Sequence, residues 1–300
     1  MGECRHSCCK GWEIDIDPTT YARYKALPGE LGRKMRSCTM ETAEGGSFIL
    51  TKDEHCPFLN SDGLCELILN LGKESLCDIC RDHPLYRNFI SNRLELGLGL
   101  CCESACRLIL ERRSPIRLML QAEEGADEPF AEDEVLLLER DRLVEAAQNR
   151  QRSILCRVEA IESSLAVPAP ELSELSSLMA SLEVLDVAWP ELLRTVSVNA
   201  ADFEPDGEEE VFLENLLVYL LLRHIPEAVD EQELRTKAFF CTAMWRLLYC
   251  IYCASGRGGI NSLEEICRMW SAEIEYSDEN PNRIAAWLEN RCLRPLPAAK

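Results

Sequence analysis

The sequence has no apolar run long enough to span a membrane and no apolar leader in its first residues. The most apolar stretch, residues 238–255, is interrupted by Arg246 and falls short of the roughly 20 apolar residues that a bilayer span requires. Residues 1–10 carry charges and cysteines where a secretion signal would have an apolar segment. We therefore predict a cytoplasmic protein that does not bind a membrane.

Two common cofactor motifs are also missing. The glycines of "GLGLC" and "SGRGGIN" do not stand between a strand and a helix in a GxGxxG pattern, so a dinucleotide-type loop is excluded. Position 11, where a third cysteine would complete a C-x3-C-x2-C spacing after Cys4 and Cys8, is glycine. The spacing typical of radical enzymes is therefore absent.

Positive charge is scarce in the second part of the chain. Residues 1–120 hold 16 Lys+Arg and 17 Asp+Glu, a net charge of −1, whereas residues 121–300 hold 16 and 35, a net charge of −19. Such an acidic segment repels nucleic acid and anionic membranes, and it attracts a basic protein surface that carries lysines. Solubility alone is the alternative explanation.

Cysteine, in contrast, is abundant. The chain has 17 cysteines, and 11 of them precede residue 107. In a reducing compartment, thiols in this number indicate metal ligation or thiol chemistry instead of disulfides. The six later cysteines fit small core residues on helices.

The predicted secondary structure changes after Cys106. Residues 1–106 contain short extended pieces at 12–17 and 47–50, a helix at 19–27, and a hairpin ending in "RLELGLGL", in which Leu94, Leu96, Leu98 and Leu100 face one side. The later residues show helical periodicity. We predict a mostly α protein: a small cysteine-rich α+β metal-binding module (1–106) packed on an acidic all-α domain (107–300).

Specific helices are predicted in the second part. Helical periodicity runs over 135–165 and 172–185, with a linker at 167–170 between them, and Pro190 and Asn199 bracket another helix. Residues 208–224 and 231–254 have wide apolar faces, so we expect these two helices to be buried against each other. A capping box, Ser262 to Glu265, opens a helix that reaches residue 275, and Pro281 begins the last one.

The cysteines of the first 106 residues fall into four clusters: "CRHSCC", "CPFLNSDGLC", "CDIC" and "CCESAC". Cys77 and Cys80 have the C-x2-C spacing that lets two sulfurs reach one metal. Zinc accepts four cysteines, or three with a histidine, and His6, His55 and His83 each adjoin a cluster, although a role beside the ligands is favoured for His55 and His83. An iron–sulfur cluster takes four thiolates in an apolar surround. The cysteine pattern fits both zinc and an iron–sulfur cluster, and both remain as alternatives.

The segments "CRHSCCKGWEIDID…YARYK", "CPFLNSDGLCEL…LGKESLCDICRDHP" and "GLGLCCESACRLIL" together closely resemble the N-terminal half of the flagellin lysine-N-methylase family. A weaker likeness continues through "FLENLLVYLLLRHIPEA" and "SAEIEYSDENPNRI", so the resemblance extends over nearly the whole chain. In two places the chain departs from the family pattern. Leu85 and Tyr276 stand where the family has arginine and histidine, and Ala272 also replaces an arginine.

The resemblance implies methyl transfer from S-adenosylmethionine to the ε-amine of flagellin lysines by a protein that holds an iron–sulfur cluster of the 4Fe–4S type. Matched position by position, it implies a ligand set to which we add Cys77: Cys4, Cys8, Cys9, Cys56, Cys65, Cys77, Cys80 and Cys102. Arg87 is a candidate to substitute for the arginine missing at Leu85.

Methyl transfer to lysine requires a proton acceptor, because a lysine ammonium has no lone pair. Asp15 and Asp17 are the catalytic candidates, with solvated strand carboxylates as the alternative. Trp12 and Arg87 are candidate cofactor-binding residues; Trp12, with Tyr21 and Tyr24, can also contact a methylated ammonium through cation–π attraction. Ordinary core packing is the alternative for these aromatic residues.

A second hypothesis belongs to a different class. The chain is then a non-catalytic zinc- or iron-binding module on a helical scaffold, and it binds a partner protein or senses redox state. The colour of an anaerobic preparation separates the hypotheses, since an iron–sulfur protein is brown and a zinc protein is colourless.

Overall fold

In the computed structural model, the described residues are 4, 8–122, 128, 130–165, 171–196, 203–277 and 279–292. They form thirteen α-helices and five short β-strands, which confirms the mostly α class with a small α+β region. The chain divides into two compact units, Met1–Leu85 and Tyr86–Lys300. Of the helices in these described ranges, none is long and apolar enough to cross a membrane.

The boundary between the units falls earlier than residue 106, where the sequence analysis placed it. Leu100, Cys106 and Leu110 are fully buried in the hydrophobic core of the second unit, because the helix that follows the hairpin packs among the later helices. The hairpin and Cys102 therefore belong to the second unit.

The first unit combines a small sheet with four helices. Its three strands are antiparallel in the order β1-β3-β2, and Pro18 at the start of α1 ends β1 after two residues. The unit's core contains Tyr24, Met35, Phe48 and Phe58. The elements are β1 (Asp15–Ile16), α1 (Pro18–Ala26), α2 (Gly29–Ser37), β2 (Thr39–Thr42), β3 (Gly45–Phe48), α3 (Glu66–Leu71) and α4 (Asp78–Asp82).

The second unit begins with the predicted hairpin and continues with nine helices among the residues described. Two of these helices, α10 and α11, are almost entirely buried and pack against each other, as their apolar faces predicted. The elements are β4 (Leu85–Ile90), β5 (Arg93–Leu98), α5 (Glu103–Leu110), α6 (Ala131–Ala147), α7 (Ile154–Leu165), α8 (Leu172–Ala180), α9 (Trp189–Arg194), α10 (Gly207–His224), α11 (Glu231–Ala254), α12 (Gly259–Glu275) and α13 (Asn280–Cys292).

Three details differ from the predictions for this unit. The periodic stretch 135–165 forms two helices, and the helix predicted over 172–185 ends at Ala180. The capping box was wrong: α12 begins at Gly259, one turn earlier, so Ser262 lies inside the helix. The predicted linker at 167–170 and Asn199 lie outside the described residues.

The leucines of the hairpin differ in how far they are buried. Leu94 and Leu96 on β5 are about half exposed, at 49% and 52%, whereas Leu100 beyond the strand is fully buried. Tyr86 on β4 packs flat on Gly97, where any Cβ would clash with the ring. The alternating pattern correctly predicted a strand. Its buried contact is that of Gly97 with Tyr86, and the fully buried leucine, Leu100, lies beyond its end.

Candidate functional site

Backbone pairing brings the first two cysteine segments together. The Cys56 N–H donates to the Cys9 carbonyl at 2.8 Å, and Lys10 and His55 form an antiparallel bridge beside it. A second bridge joins Leu59 to Cys65 and closes the intervening loop. Cys9, Cys56 and Cys65 are consequently all buried in the core of the first unit.

The sequence of this loop explains its closure. The Asn60 side chain accepts hydrogen bonds from the N–H groups of Asp62 and Leu64, at 3.0 and 2.8 Å, which is the turn-forming role of an asparagine. Gly63 follows with a positive φ of 73°, a conformation that glycine adopts without strain. The Asn–Ser–Asp–Gly turn therefore returns the chain so that Cys65 faces Cys56.

The third cysteine segment is a single helical turn. Cys77 caps the start of α4, and Cys80 lies one turn later in the helix. Two contacts hold this turn to α1: the Asp78 N–H donates to Asp17 Oδ2 at 3.2 Å, and the Tyr24 hydroxyl donates to the Ser75 carbonyl at 2.8 Å. Helix α1 thus positions the C-x2-C pair within the unit.

The thiols of this unit interact with one another. Hydrogen bonds join Cys8 to Cys9, Cys9 to Cys56, and Cys77 to Cys80. Weaker electrostatic interactions connect these pairs to each other and to Cys65. Six thiols consequently meet in one region, which we call the thiol cluster: Cys8, Cys9, Cys56, Cys65, Cys77 and Cys80.

Within the thiol cluster, the hydrogen bonds shift the pKa values of paired cysteines in opposite directions. The bond with Cys56 raises the pKa of Cys9 to about 11, whereas the same bond lowers the pKa of Cys56. In the C-x2-C pair, the hydrogen bond lowers the pKa of Cys77 and raises that of Cys80. The Cys9–Cys56 and Cys77–Cys80 pairs therefore each favour one thiolate, at Cys56 and Cys77, and the thiolate is the form that binds metal.

The thiol cluster is not a finished coordination sphere. Among the residues that the structure describes, no group of three or more His, Cys, Asp and Glu side chains is arranged to hold a metal ion. Cys4 is half-buried, and Cys102 caps α5 in the second unit. The set of eight ligands therefore stays a prediction. Its donor chemistry suits a soft metal, since thiols that meet in pairs can supply several thiolates to one centre.

The structure also places the predicted catalytic and cofactor-binding residues. Asp15 is exposed on β1, where it pairs with Ser47, and Trp12 is half-buried against the core of the first unit. Asp17 caps α1: burial alone would raise its pKa, but hydrogen bonds from the Thr20 and Asp78 N–H groups lower it. Arg87 is exposed on β4 in the second unit.

The second unit contains a polar cluster that the sequence analysis did not predict. The Glu275 side chain is fully buried at the end of α12 and accepts hydrogen bonds from three residues of α10. The Tyr219 hydroxyl lies 2.8 Å away, His224 Nε2 2.9 Å and Arg223 Nε 3.2 Å, and Ser271 Oγ donates from one turn earlier on α12. We call these five residues the Glu275 cluster.

Aromatic rings surround the arginine of this cluster. The Arg223 guanidinium carbon lies 4.2 Å from the ring centre of Tyr86 and 5.9 Å from that of Tyr276. Tyr276 also hydrogen-bonds the thiol of Cys101, whose pKa burial raises to about 12. Burial alone would raise the pKa of Glu275, but His224, Arg223 and Ser271 together lower it, so the carboxylate stays ionised.

Stability should therefore depend on pH in opposite directions at two glutamates of α12. The lowered pKa of Glu275 gives stability that is present above the unfolded value of about 4.3 and is lost on acidification. The pKa of Glu273 is raised by burial, so its contribution is lost as pH rises. A tenfold change in a group's acid dissociation constant on folding corresponds to about 1.4 kcal/mol. In urea unfolding, we expect Glu275→Gln to lower the free energy of unfolding more at pH 7 than at pH 4. We expect Glu273→Gln to lower it less at pH 7 than at pH 4.

The two variants control for each other, because both remove a charge from the same helix and leave an amide in its place. Parallel pH profiles for Glu275→Gln and Glu273→Gln would contradict the assignment.

Comparison with curated proteins gives three relatives. The chain is 29% identical over 121 residues to a lysine-N-methylase of Salmonella typhimurium strain LT2, and 28% identical over 121 residues to a lysine-N-methylase of Salmonella choleraesuis strain SC-B67. Each match covers 36% of this chain and 28% of the relative. The predicted resemblance is confirmed. The chain matches less than a third of the length of these two methylases.

The third relative is a flagellar biosynthetic protein, FliU, of Salmonella muenchen, 28% identical over 121 residues that make up 36% of this chain and 67% of that protein. No family model and no solved structure matches the chain. The weaker likeness that was predicted over the remainder of the chain stays a prediction.

Proposed function

We propose that this protein is a lysine N-methyltransferase that uses S-adenosylmethionine and acts on a flagellin-type protein subunit. The observation that carries the proposal is the match to two proteins named lysine-N-methylase. The name of the third relative, a flagellar biosynthetic protein, supports the choice of flagellin as the acceptor.

We further propose that the thiol cluster holds a 4Fe–4S cluster, with zinc as the alternative, and that Cys4 and Cys102 belong to the same ligand set. Convergence of six thiols from three segments supports this, and so does the burial of Cys9, Cys56, Cys65 and Cys77. Because a cysteine side chain turns about one bond, thiols that contact each other in pairs can reorient toward a common centre. Such a centre supplies structural cross-linking and an electrophilic metal.

The incoming lysine needs a proton acceptor. Asp17 is poorly suited, because two backbone N–H groups occupy its carboxylate and lower its pKa. Asp15, exposed on β1, is the better of the two candidates. Trp12 beside the thiol cluster, and Arg87 on β4, remain the candidates for cofactor contacts.

The acidic part of the chain supports a basic partner. Residues 121–300 carry a net charge of −19, which attracts a lysine-bearing protein surface and accelerates the encounter at low salt. We expect association with the acceptor protein to weaken as the ionic strength rises, and the proposal includes neither nucleic acid nor a membrane as a partner.

The test is methyl transfer by protein prepared without oxygen. Iron, zinc and sulfide are measured first, and the protein is then incubated with labelled S-adenosylmethionine and flagellin from the same organism. We expect label on lysine ε-amines, located by peptide mass spectrometry, and loss of transfer in Asp15→Asn but not in the exposed-site control Asp62→Asn. If a metal-loaded preparation transfers no methyl groups to flagellin, the proposed methyltransferase activity is refuted.

One observation favours the second candidate, a non-catalytic metal-binding module. The matched region covers only 28% of the lysine-N-methylases, so parts of those enzymes have no counterpart in the match. A colourless protein that holds one or two zinc ions and shows no response to S-adenosylmethionine would support this alternative.

A further inference from the structure

Two cysteine pairs of the thiol cluster have a backbone spacing that permits a disulfide. In the first pair, Cys9 lies opposite Cys56, because the Cys56 N–H donates to the Cys9 carbonyl at 2.8 Å beside the Lys10–His55 bridge. Residues that face each other through such hydrogen bonds have Cα atoms about 5.5 Å apart. A disulfide joins residues whose Cα atoms are about 4.4–6.8 Å apart, so the backbone holds this pair at bonding range.

The second pair, Cys77 and Cys80, reaches the same range by helix geometry. The Arg81 N–H donates to the Cys77 carbonyl at 2.8 Å, so the chain from Cys77 to Cys80 follows one turn of α4. The rise and radius of an α-helix place Cα atoms three residues apart at about 5 Å. In both pairs the two sulfurs are also in hydrogen-bond contact. Forming either bond therefore requires rotation of the side chains, without movement of the backbone.

The contact between Cys8 and Cys9 does not meet this requirement. Adjacent residues have Cα atoms about 3.8 Å apart across a trans peptide, which is below the disulfide range. Cys65 interacts with Cys9 and Cys56 through the weaker electrostatic interactions. Contact and spacing together therefore select Cys56 as the partner of Cys9.

The two pairs differ in how far solvent reaches them. Cys80 is half-buried, whereas Cys9, Cys56 and Cys77 are at most 9% exposed. A small oxidant therefore has access to a sulfur of the C-x2-C pair, and the Cys9–Cys56 pair should react more slowly.

We propose that a peroxide closes the metal-free thiol cluster as two disulfides, Cys9–Cys56 and Cys77–Cys80, and that this oxidation blocks metal binding. In each pair, hydrogen peroxide oxidises one thiol to a sulfenic acid and is itself reduced to water. The second sulfur then forms the S–S bond and displaces the sulfenic oxygen, which leaves with the remaining thiol proton as a second water. The inference rests on the proposed function, because it assigns redox control to the same metal site.

Closure of both pairs leaves too few thiols in the thiol cluster. Cys8 and Cys65 remain, whereas zinc or a 4Fe–4S cluster takes four ligands. The other two proposed ligands, Cys4 and Cys102, lie outside the thiol cluster, and Cys102 caps a helix of the second unit. A bound metal occupies the thiolates that peroxide attacks, so metal loading should protect both pairs.

The test maps disulfides in the whole chain. Protein prepared without oxygen is stripped of metal with a chelator and treated with limiting hydrogen peroxide. Free thiols are then alkylated, and peptides are identified by mass spectrometry without reduction. We expect both disulfides, with Cys77–Cys80 forming first. Uptake of zinc ions by the same samples should be lost as the disulfides form and should return after dithiothreitol, and zinc-loaded protein should resist the oxidation.

Variants identify the partners in the slower pair, because the linked tryptic peptides also contain Cys8 and Cys65. Cys8→Ala and Cys65→Ala should each keep the link between these peptides. Cys9→Ala and Cys56→Ala should each abolish it. In all four variants the C-x2-C disulfide should still form, which shows that the variant retains the second pair.

Two other cysteine arrangements separate contact from access. Cys106 and Cys267 of the second unit hydrogen-bond each other but are fully buried. Cys38 of the first unit is half-buried, and its thiol contacts the Ser37 hydroxyl. All three thiols should remain available for alkylation after limiting peroxide.

Three results would overturn the inference: disulfides between other cysteines, no disulfide in either pair, or oxidised protein that takes up zinc as the reduced protein does. If methyl transfer to lysine persists alongside any of these results, this inference alone fails. If both disulfides form and zinc uptake is lost but no methyl group is transferred by the reduced protein, the inference holds and the methyltransferase activity fails. Reduced protein that binds neither zinc nor iron refutes both the metal site and its redox control.

Discussion

Replacing Glu214 by leucine is expected to lower the free energy of unfolding of the second unit by about 3–5 kcal/mol, the cost of removing one partner from a buried ion pair. Glu214 on α10 is almost completely buried and accepts from Arg157 Nη1 at 2.6 Å and from Arg150 Nη2 at 2.7 Å. Arg157, on α7, is equally buried. Without the carboxylate, a desolvated guanidinium keeps only the edge contact with Glu210 and the Ala147 carbonyl.

The same helix provides the control. Glu208 pairs with Arg113 at 2.7 Å, but both side chains are about two-thirds exposed. Exposed pairs contribute at most about 1 kcal/mol, so Glu208→Leu should change stability little in the same urea titration. A double variant, Glu214→Leu with Arg157→Met, should recover part of the loss, because it also removes the buried guanidinium that loses its contact with Glu214. Equal costs for Glu214→Leu and Glu208→Leu would show that burial does not set the energy of these pairs.

The second large effect is expected at the thiol cluster. The double variant Cys56→Ala with Cys77→Ala removes one thiol from each of two pairs, and these are the two thiols whose pKa values the cluster lowers. If the cluster binds metal, the variant should lose most of the iron or zinc that the wild type retains after anaerobic purification. It should also destabilise the first unit by several kcal/mol, since metal binding contributes directly to folding.

The control for this double variant lies in the same unit. Cys38 is half-buried at the end of α2, where its thiol contacts the Ser37 hydroxyl, and it is not a predicted ligand. Cys38→Ala should keep the full metal content and the unfolding midpoint of the wild type. Metal analysis and chelator-dependent unfolding measure both quantities. A double variant with unchanged metal content would exclude Cys56 and Cys77 as ligands.

Local signals in the sequence determined most of the secondary structure. The helix predicted over 19–27 is α1, which Pro18 begins, and the period-2 leucines formed β5. The wide apolar faces of α10 and α11 also predicted their mutual burial. These predictions succeeded because each depends on neighbouring residues, whose spacing fixes the period and the cap. The prediction that a capping box at Ser262 begins α12 was wrong. The helix already begins at Gly259, so Ser262 lies inside it although the local sequence fits a cap.

The grouping of side chains into sites needed the tertiary structure. Cysteine spacing by itself indicated that thiols from distant segments would meet. The bridges at Lys10–His55 and Leu59–Cys65 bring the first two cysteine segments together, and hydrogen bonds to Asp17 and Tyr24 hold the third. Cys102 fell into the other unit, because the helix it caps contributes Cys106 and Leu110 to that unit's core.

The Glu275 cluster had almost no signal in the sequence. Its members come from two helices that are remote along the chain, and Tyr86 joins them from the hairpin. The weaker likeness through "FLENLLVYLLLRHIPEA" and "SAEIEYSDENPNRI" and the departures at Ala272 and Tyr276 pointed to these segments, but not to their side chains meeting. The sequence by itself thus determined the helices, the hairpin and the richness in thiols, because those depend on local spacing. Only the packing of α10 against α12 decided which polar groups share a buried site, since burial of a charge depends on what every other element places around it.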